Sequence, residues 1–155
     1  MSHSALAQLY ASIVEESLGL VATIDADDDV VFKYPELGTL LISVQAEHDP
    51  EVFQVVLPNF LGPADLGLDR ERFLDAINRV NAQAKGAKVY YSDTTGRATA
   101  VVAAVLAAAD TAPRREVVEA GIVRQVGMLR NAALLLVGAC GAIPRPQRDE
   151  KALLN

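Results

Sequence analysis

A helix that runs directly into a two-strand hairpin, between Asp69 and Leu106, is the feature that most constrains the fold of this chain. Its first part has apolar residues at helical spacing, starts at an aspartate suited to cap a helix, and stops at Gly86. Two alternating strands follow, joined by the short turn 93–96. Strands joined by so short a turn pair antiparallel, so this segment favours an α+β fold over a parallel sheet with crossover helices.

The segments on either side of this helix and hairpin complete the fold. Residues 4–18 have the spacing of an amphipathic helix, and residues 40–47 alternate between an apolar and a mostly polar face. Residues 58–68, with several Pro and Gly, predict a loop, and residues 113–141 predict a long last helix. The predicted fold class is α+β, a curved antiparallel sheet flanked by helices mainly on one side, in the order α-β-β-β-β-α-β-β-α.

The composition is that of a small, acidic, globular chain. Apolar residues make up 51% and charged residues 22%, and the net charge is −6, so nucleic acid is not an expected partner. The single cysteine, Cys140, allows no internal disulfide and lies among small apolar residues, which predicts a buried, inert thiol. No signal peptide is evident, and the apolar run 132–143 is shorter than the roughly 20 residues that cross a bilayer. We expect a cytoplasmic protein without membrane insertion, with one domain over residues 1–144 and a flexible tail over residues 145–155.

Four motifs stand in an order that resembles YbjN-type proteins. They are Asp-x-Asp-x-Asp-Val-x-Phe-Lys-Tyr from residue 25, Leu-x-Ile-x-Val-x-x-x-x-Asp-Pro-Glu-x-Phe from residue 40, Ala-Ile-Asn-x-Val-Asn at 76–81 and Lys-Val-Tyr at 88–90. The resemblance covers about residues 24–106. It implies a fold like that of the type III secretion chaperones, an often dimeric domain, no known catalytic site and a role in protein interaction. One departure is Asp28, which stands where the resemblance leads us to expect glycine.

The chain has no pattern of catalytic or cofactor-binding groups, so we expect no enzymatic activity and no cofactor. Nucleophilic catalysis needs a nucleophile, a base and an orienting group, and no serine lies in a nucleophile-elbow pattern. No glycine-rich phosphate-binding motif occurs. His48 has Glu47 and Asp49 beside it, but three neighbours at a strand end cannot all point to one metal ion. A hydrolase assembled from residues distant in the sequence stays open as a third alternative.

The acidic turn Asp25–Asp29 is the second candidate site. The first, third, fifth and twelfth positions of a calcium-binding loop would be Asp25, Asp27, Asp29 and Glu36. The match to calcium-loop geometry is poor, because Val30 stands where that loop needs glycine and the next residues alternate as a strand. We expect an acidic hairpin turn that discourages edge-to-edge association of sheets. The alternative function is a regulatory domain that binds a small ligand or divalent metal at this turn.

The helix and hairpin between Asp69 and Leu106 also predict where the side chains of Asn81, Tyr90 and Tyr91 point. Asn81 lies beside the apolar face of its helix, where a poor helix former predicts a fixed hydrogen bond to backbone at a strand end or loop. A contact with a partner protein is the alternative role. Tyr90 and Tyr91 are adjacent, so they must point to opposite sides of their strand.

Apolar residues in excess of the needs of one sheet predict a protein-binding surface. The last helix is amphipathic in its first half and apolar nearly all round in its second half, and such a helix must be buried, if necessary against a second copy. We predict a non-catalytic, chaperone-like or regulatory domain that acts as a homodimer. It would dock an extended or helical segment of a partner within a ring of acidic charge. The candidate contact residues are Leu41, Val52, Val56, Val123, Leu134 and Val137.

Overall fold

The structure is a computed structural model that describes residues 3–142, with three α-helices and six strands in that part of the chain. The helices are α1 (Ala5–Leu18), α2 (Arg70–Gln83) and α3 (Arg115–Ala142). The strands are β1 (Ala22–Ile24), β2 (Val30–Tyr34), β3 (Gly38–Ser43), β4 (Val52–Leu61), β5 (Ala87–Ser92) and β6 (Arg97–Val105). The predicted order of helices and strands and the α+β class are confirmed. The predicted tail, residues 145–155, lies outside the described residues.

All six strands form one open sheet in the order β1-β2-β3-β4-β6-β5, and every neighbouring pair is antiparallel. The longest pairing joins β4 and β6 at the centre, with a register shift between Leu57 and Leu61. The prediction of a loop from residue 58 is therefore wrong in its first part, because the strand continues through this irregularity. A short 3-10 helix, Pro63–Leu66, fills the rest of the predicted loop.

The helices cover one face of the sheet, which we call the inner face. Alternate strand residues point into this face and are buried, as Phe32, Phe53 and Val102 are. α3 packs on β4 and β6 at the centre of the sheet and also contacts both other helices. Its buried side carries Val118, Ile122, Val126, Leu129, Ala132, Leu136 and Cys140.

Local chemistry explains where the first two helices begin. The Ser4 side chain accepts the backbone N–H of Ala7 at 3.0 Å, and the Asp69 side chain accepts that of Arg72 at 2.9 Å, so each caps its helix. α1 ends at Gly19, which has the left-handed backbone that favours glycine (φ 65°). These predicted helix ends are confirmed, whereas α2 ends at Gln83, three residues before the glycine expected to stop it.

Candidate interaction surfaces

The sheet face opposite the helices, which we call the outer face, carries its own apolar row. Residues Val31, Leu41, Val56 and Val101 are paired in sequence across β2, β3, β4 and β6. None of the four belongs to the buried core cluster of the described chain. Val31 and Leu41 are half-buried, whereas Val56 and Val101 are only 8% and 7% exposed, so solvent reaches mainly the β2 and β3 end of the row.

The three strand residues predicted as partner contacts all lie on this outer face, but they differ in accessibility. Leu41 and Val52 are half-buried. Val56 is only 8% exposed, because it lies at the centre of the row between neighbouring strand side chains. A partner could therefore reach Leu41 and Val52 directly and Val56 only at its edge.

Basic and acidic groups are segregated between the sheet and the rest of the molecule. None of the six strands contains Asp or Glu, and their only charged residues are Lys33, Lys88 and Arg97. Each of these three has the outer-face parity of its strand, opposite to buried neighbours such as Phe32 and Val89. The strands of the outer face carry basic charge only, so the predicted ring of acidic charge stays a prediction for the turns and loops around this face.

The outward side of α3 is the second exposed apolar surface. We call it the α3 stripe and define it by residues spaced alternately three and four apart: Ala120, Val123, Gly127, Arg130, Leu134, Val137 and Gly141. The three predicted contacts on this helix are all exposed, Val123 by 57%, Leu134 by 66% and Val137 by 49%. A Cβ added at Gly127 or Gly141 would meet nothing within 4 Å. The stripe therefore combines exposed apolar side chains with room for close approach.

Arg130 is the charged member of the α3 stripe, and its guanidinium contacts residues at the end of β2 and in the turn that follows. Its guanidinium lies 5.8 Å from the centre of the Tyr34 ring, and Nη2 is 3.8 Å from Oε2 of Glu36. A hollow of about 360 Å³ runs beside the second half of the stripe, between α2 and α3, and Leu134 and Leu135 line it. The stripe is therefore least polar between residues 131 and 141.

The carboxylates of the acidic turn bind backbone groups of the turn and its neighbours. Asp25 Oδ1 accepts the N–H groups of Asp27 and Asp29 at 2.9 and 3.0 Å, and Asp29 Oδ1 accepts that of Val44 at 2.8 Å. Burial is the main cause that raises the pKa of Asp29, and the nearby aspartates add to it. Within residues 3–142 no group of three or more His, Cys, Asp or Glu could hold a metal ion. Glu36 lies in the next turn, beyond β2.

Asp28 fastens the start of α1 to this turn. Both of its carboxylate oxygens accept the backbone N–H of Ser4 at 3.2 Å, and His3 Nδ1 lies 3.0 Å from Oδ1. Hydrogen bonds from Ser4 hold the pKa of Asp28 below its ordinary value, with a smaller contribution from His3. Asp28 has a φ of 68°, at the position where the family resemblance suggests glycine. The acidic turn thus has a structural role that the sequence did not reveal.

Cys140 and the two tyrosines lie where the sequence predicts. The Cys140 side chain is buried on the inward side of α3, and burial raises the pKa of its thiol. Tyr91 packs edge-on against Phe73 of α2, with ring centres 5.9 Å apart. Tyr90 points to the outer face and is exposed. The tyrosines therefore mark the two faces of β5.

α3 is long and apolar enough over Arg115–Gly141 to cross a membrane, judged by length and composition. Core helices of soluble proteins pass the same test. α3 buries one complete side on the sheet and the other helices, and Arg115 at its start binds Glu16 of α1 (Nη2 to Oε2, 2.6 Å). This packing is consistent with a soluble protein.

Comparison of the chain with protein-family models, with curated proteins and with solved structures finds no match. The resemblance to YbjN-type proteins thus rests on the four sequence motifs alone. The outer face and the α3 stripe are the features from which a function can be inferred.

Proposed function

We propose that this chain is a non-catalytic, protein-binding domain, chaperone-like or regulatory, that works in the cytoplasm as a homodimer. The observation that carries the proposal is the α3 stripe, where Val123, Leu134 and Val137 are exposed on a helix whose opposite side is in the core. Exposed apolar side chains aligned in this way favour burial against another surface, at about 25 cal/mol per Å² of apolar area removed from water. The four YbjN-type motifs support the same kind of role.

A second copy is the partner that best fits the α3 stripe. Its alternate spacing of three and four residues is the spacing at which one helix packs along another in a seam. From Ala120 to Gly141 the stripe is about 30 Å long at 1.5 Å per residue, which gives room for several layers of contact. The small residues Ala120, Gly127 and Gly141 would let two helices approach closely, with Leu134 and Val137 packed beside them.

Light scattering on the purified full chain tests the homodimer. We expect a mass of about twice the chain mass of 16.5 kDa at micromolar concentration. The double variant Leu134→Glu/Val137→Glu places charges in the stripe and is expected to be monomeric, with a helix content unchanged by circular dichroism. The matched control is Val105→Glu, an equally exposed position at the end of β6, which should remain dimeric. A monomeric wild type, or a double variant that remains dimeric, contradicts the proposal.

A further inference from the structure

Two of the three basic groups of the outer face have no acidic partner within the described chain. Arg97 binds Asp65 at 3.0 Å and donates to the backbone carbonyl of Asn59 at 2.7 Å, so its charge is already used. Lys33 and Lys88 are exposed and form no ion pair with any residue in 3–142. A chain with a net charge of −6 thus presents two unpaired lysines on a sheet without acidic residues.

Apolar surface lies beside both lysines. Next to Lys33 is a hollow of about 540 Å³ that Val21 and Val31 help to line. Val21 is 82% exposed, the highest exposure of any large apolar side chain in the described residues. Lys88 pairs with Val101, which is only 7% exposed, so the apolar surface beside Lys88 is the exposed Tyr90, two residues further along the same strand. A matching ligand therefore has apolar groups flanked by negative charge.

The two edges of the sheet do not favour an added strand. On β5 the Asn81 side chain already binds the backbone N–H and carbonyl of Val89, at 2.8 and 2.9 Å. At the other edge β1 has only three residues. An extended peptide that binds by strand addition needs a longer run of unpaired backbone groups. The occupant of this region must therefore lie on the face of the sheet.

An α-helix is an element that packs on the face of a sheet, as the three helices do on the inner face of this protein. Lys33 and Lys88 lie on strands four places apart in the sheet, which is about 19 Å at 4.8 Å per strand. A helix covers that distance with about 13 residues. One partner helix could therefore meet both lysines and the accessible members of the apolar row between them, Val31 and Leu41.

We propose that the outer face binds an amphipathic helix of a partner protein, with apolar residues along one side and Asp or Glu beside them. The proposal rests on the protein-binding role proposed above and is independent of the α3 homodimer. Two unpaired lysines are too few for nucleic acid, where a binding protein commonly neutralises about 6–10 phosphates. They are also fewer than the clusters of about 4–8 basic residues that recognise anionic membranes.

Fluorescence anisotropy with two model peptides tests this preference on the full chain. Both peptides are helical, about 18 residues long, with leucines on one side; the remaining positions are Glu in one peptide and Lys in the other. We expect the acidic peptide to bind about tenfold more tightly, because it can form ion pairs with Lys33 and Lys88, whereas the Lys peptide meets like charge at these two positions. The double variant Lys33→Glu/Lys88→Glu is expected to abolish or reverse this preference.

Lys85→Glu is the matched control, because Lys85 is exposed but lies before β5, outside the sheet. It should retain the preference for the acidic peptide. Equal binding of the two peptides, no binding of the acidic one, or the same loss in Lys85→Glu as in the double variant would overturn the proposal. So would binding of duplex DNA or anionic vesicles that depends on Lys33 and Lys88 while neither peptide binds. Repeating the titration with Leu134→Glu/Val137→Glu separates the two proposals, since peptide binding is expected to survive there.

Discussion

At the scale of single residues, Asn81 acts on the sheet as a neighbouring strand would. Its side-chain amide both donates to and accepts from the backbone of Val89, and β5 has no strand on that side. An amide matches both backbone groups at once, which neither a carboxylate nor a hydroxyl does with the same geometry. The predicted hydrogen bond of Asn81 to backbone is confirmed, but the expected location at a strand end or loop is wrong, because the target lies in the middle of an edge strand.

Replacing Asn81 with Ala should lower the free energy of unfolding by about 1–3 kcal/mol, since two partly buried backbone groups lose their partners. Asn78→Ala is the matched control on the same helix, where an exposed side chain should change stability by no more than about 0.5 kcal/mol. Urea denaturation measures both variants. Equal stabilities for the two variants would show that the bonds to Val89 contribute nothing.

Residue-level chemistry was also the most predictable from sequence. The cap at Asp69 was predicted correctly because a cap bonds to backbone only two or three residues away, whereas Ser4, expected as the first residue of its helix, is the cap of that helix. The prediction of a loop from residue 58 is wrong in its first part because distant residues decide where β4 ends. Thr99 Oγ1 accepts the backbone N–H of Asn59 at 3.0 Å, and this bond helps β4 continue past its proline.

At the scale of elements, a glycine inside α3 and a glycine in a turn differ in backbone conformation and in the space around them. Gly121 lies inside the helix, and a Cβ there would be 3.5 Å from Leu106 Cδ1, an ordinary contact. Gly86 joins α2 to β5 with a φ of +72°, and a Cβ there would be 3.0 Å from Sδ of Met128. The backbone conformation and the nearby Met128 side chain favour glycine at position 86, whereas nothing in the structure requires a glycine at position 121.

Gly121→Ala is expected to stabilise the protein by about 0.5–1 kcal/mol, because alanine restricts the unfolded chain and favours helix. Gly86→Ala should destabilise it by about 1–2 kcal/mol, because an L side chain is strained at this φ and crowds Met128. Thermal and urea unfolding of the two variants against the wild type measure the difference. A neutral Gly86→Ala would mean that the turn relaxes freely.

The placement of the α3 stripe was predicted only in part. Exposed Val123, Leu134 and Val137 were named from the excess of apolar residues on the last helix, which is a local property of the sequence. The role of Lys33 and Lys88 was not anticipated, because it depends on a strand order in which β6 pairs with β4 and leaves β5 at the edge. The periodicity of a single sequence predicts which side of its strand a residue points to, but it does not predict which strands are the neighbours of that strand.

At the scale of the whole molecule, the sheet separates a folding face from an exposed one. Leu41 and Ile42 are neighbours in β3 and point to opposite faces. Ile42 is completely buried in the core, whereas Leu41 is half-buried on the outer face. Most of the stability should therefore come from the inner face.

Alanine substitutions at Ile42 and Leu41 compare how much the inner and outer faces contribute to the free energy of unfolding. Ile42→Ala should lower the free energy of unfolding by about 2–5 kcal/mol, as the loss of a core side chain leaves a cavity. Leu41→Ala should cost roughly 1 kcal/mol, because only part of its side chain is removed from water. Denaturant titration of both variants provides the comparison. A loss at Leu41 as large as that at Ile42 would place the outer face in the core.

The buried thiol near the end of α3 can serve as a chemical probe of local opening of this helix. Cys140 is the sole cysteine of the chain and is 5% exposed, so an alkylating reagent reaches it only when the end of the helix lifts from the sheet. Its labelling rate as a function of denaturant distinguishes fraying of this helix end from unfolding of the whole domain. The same helix carries the α3 stripe. Slower labelling at higher protein concentration would therefore show that self-association reduces the opening of this helix end.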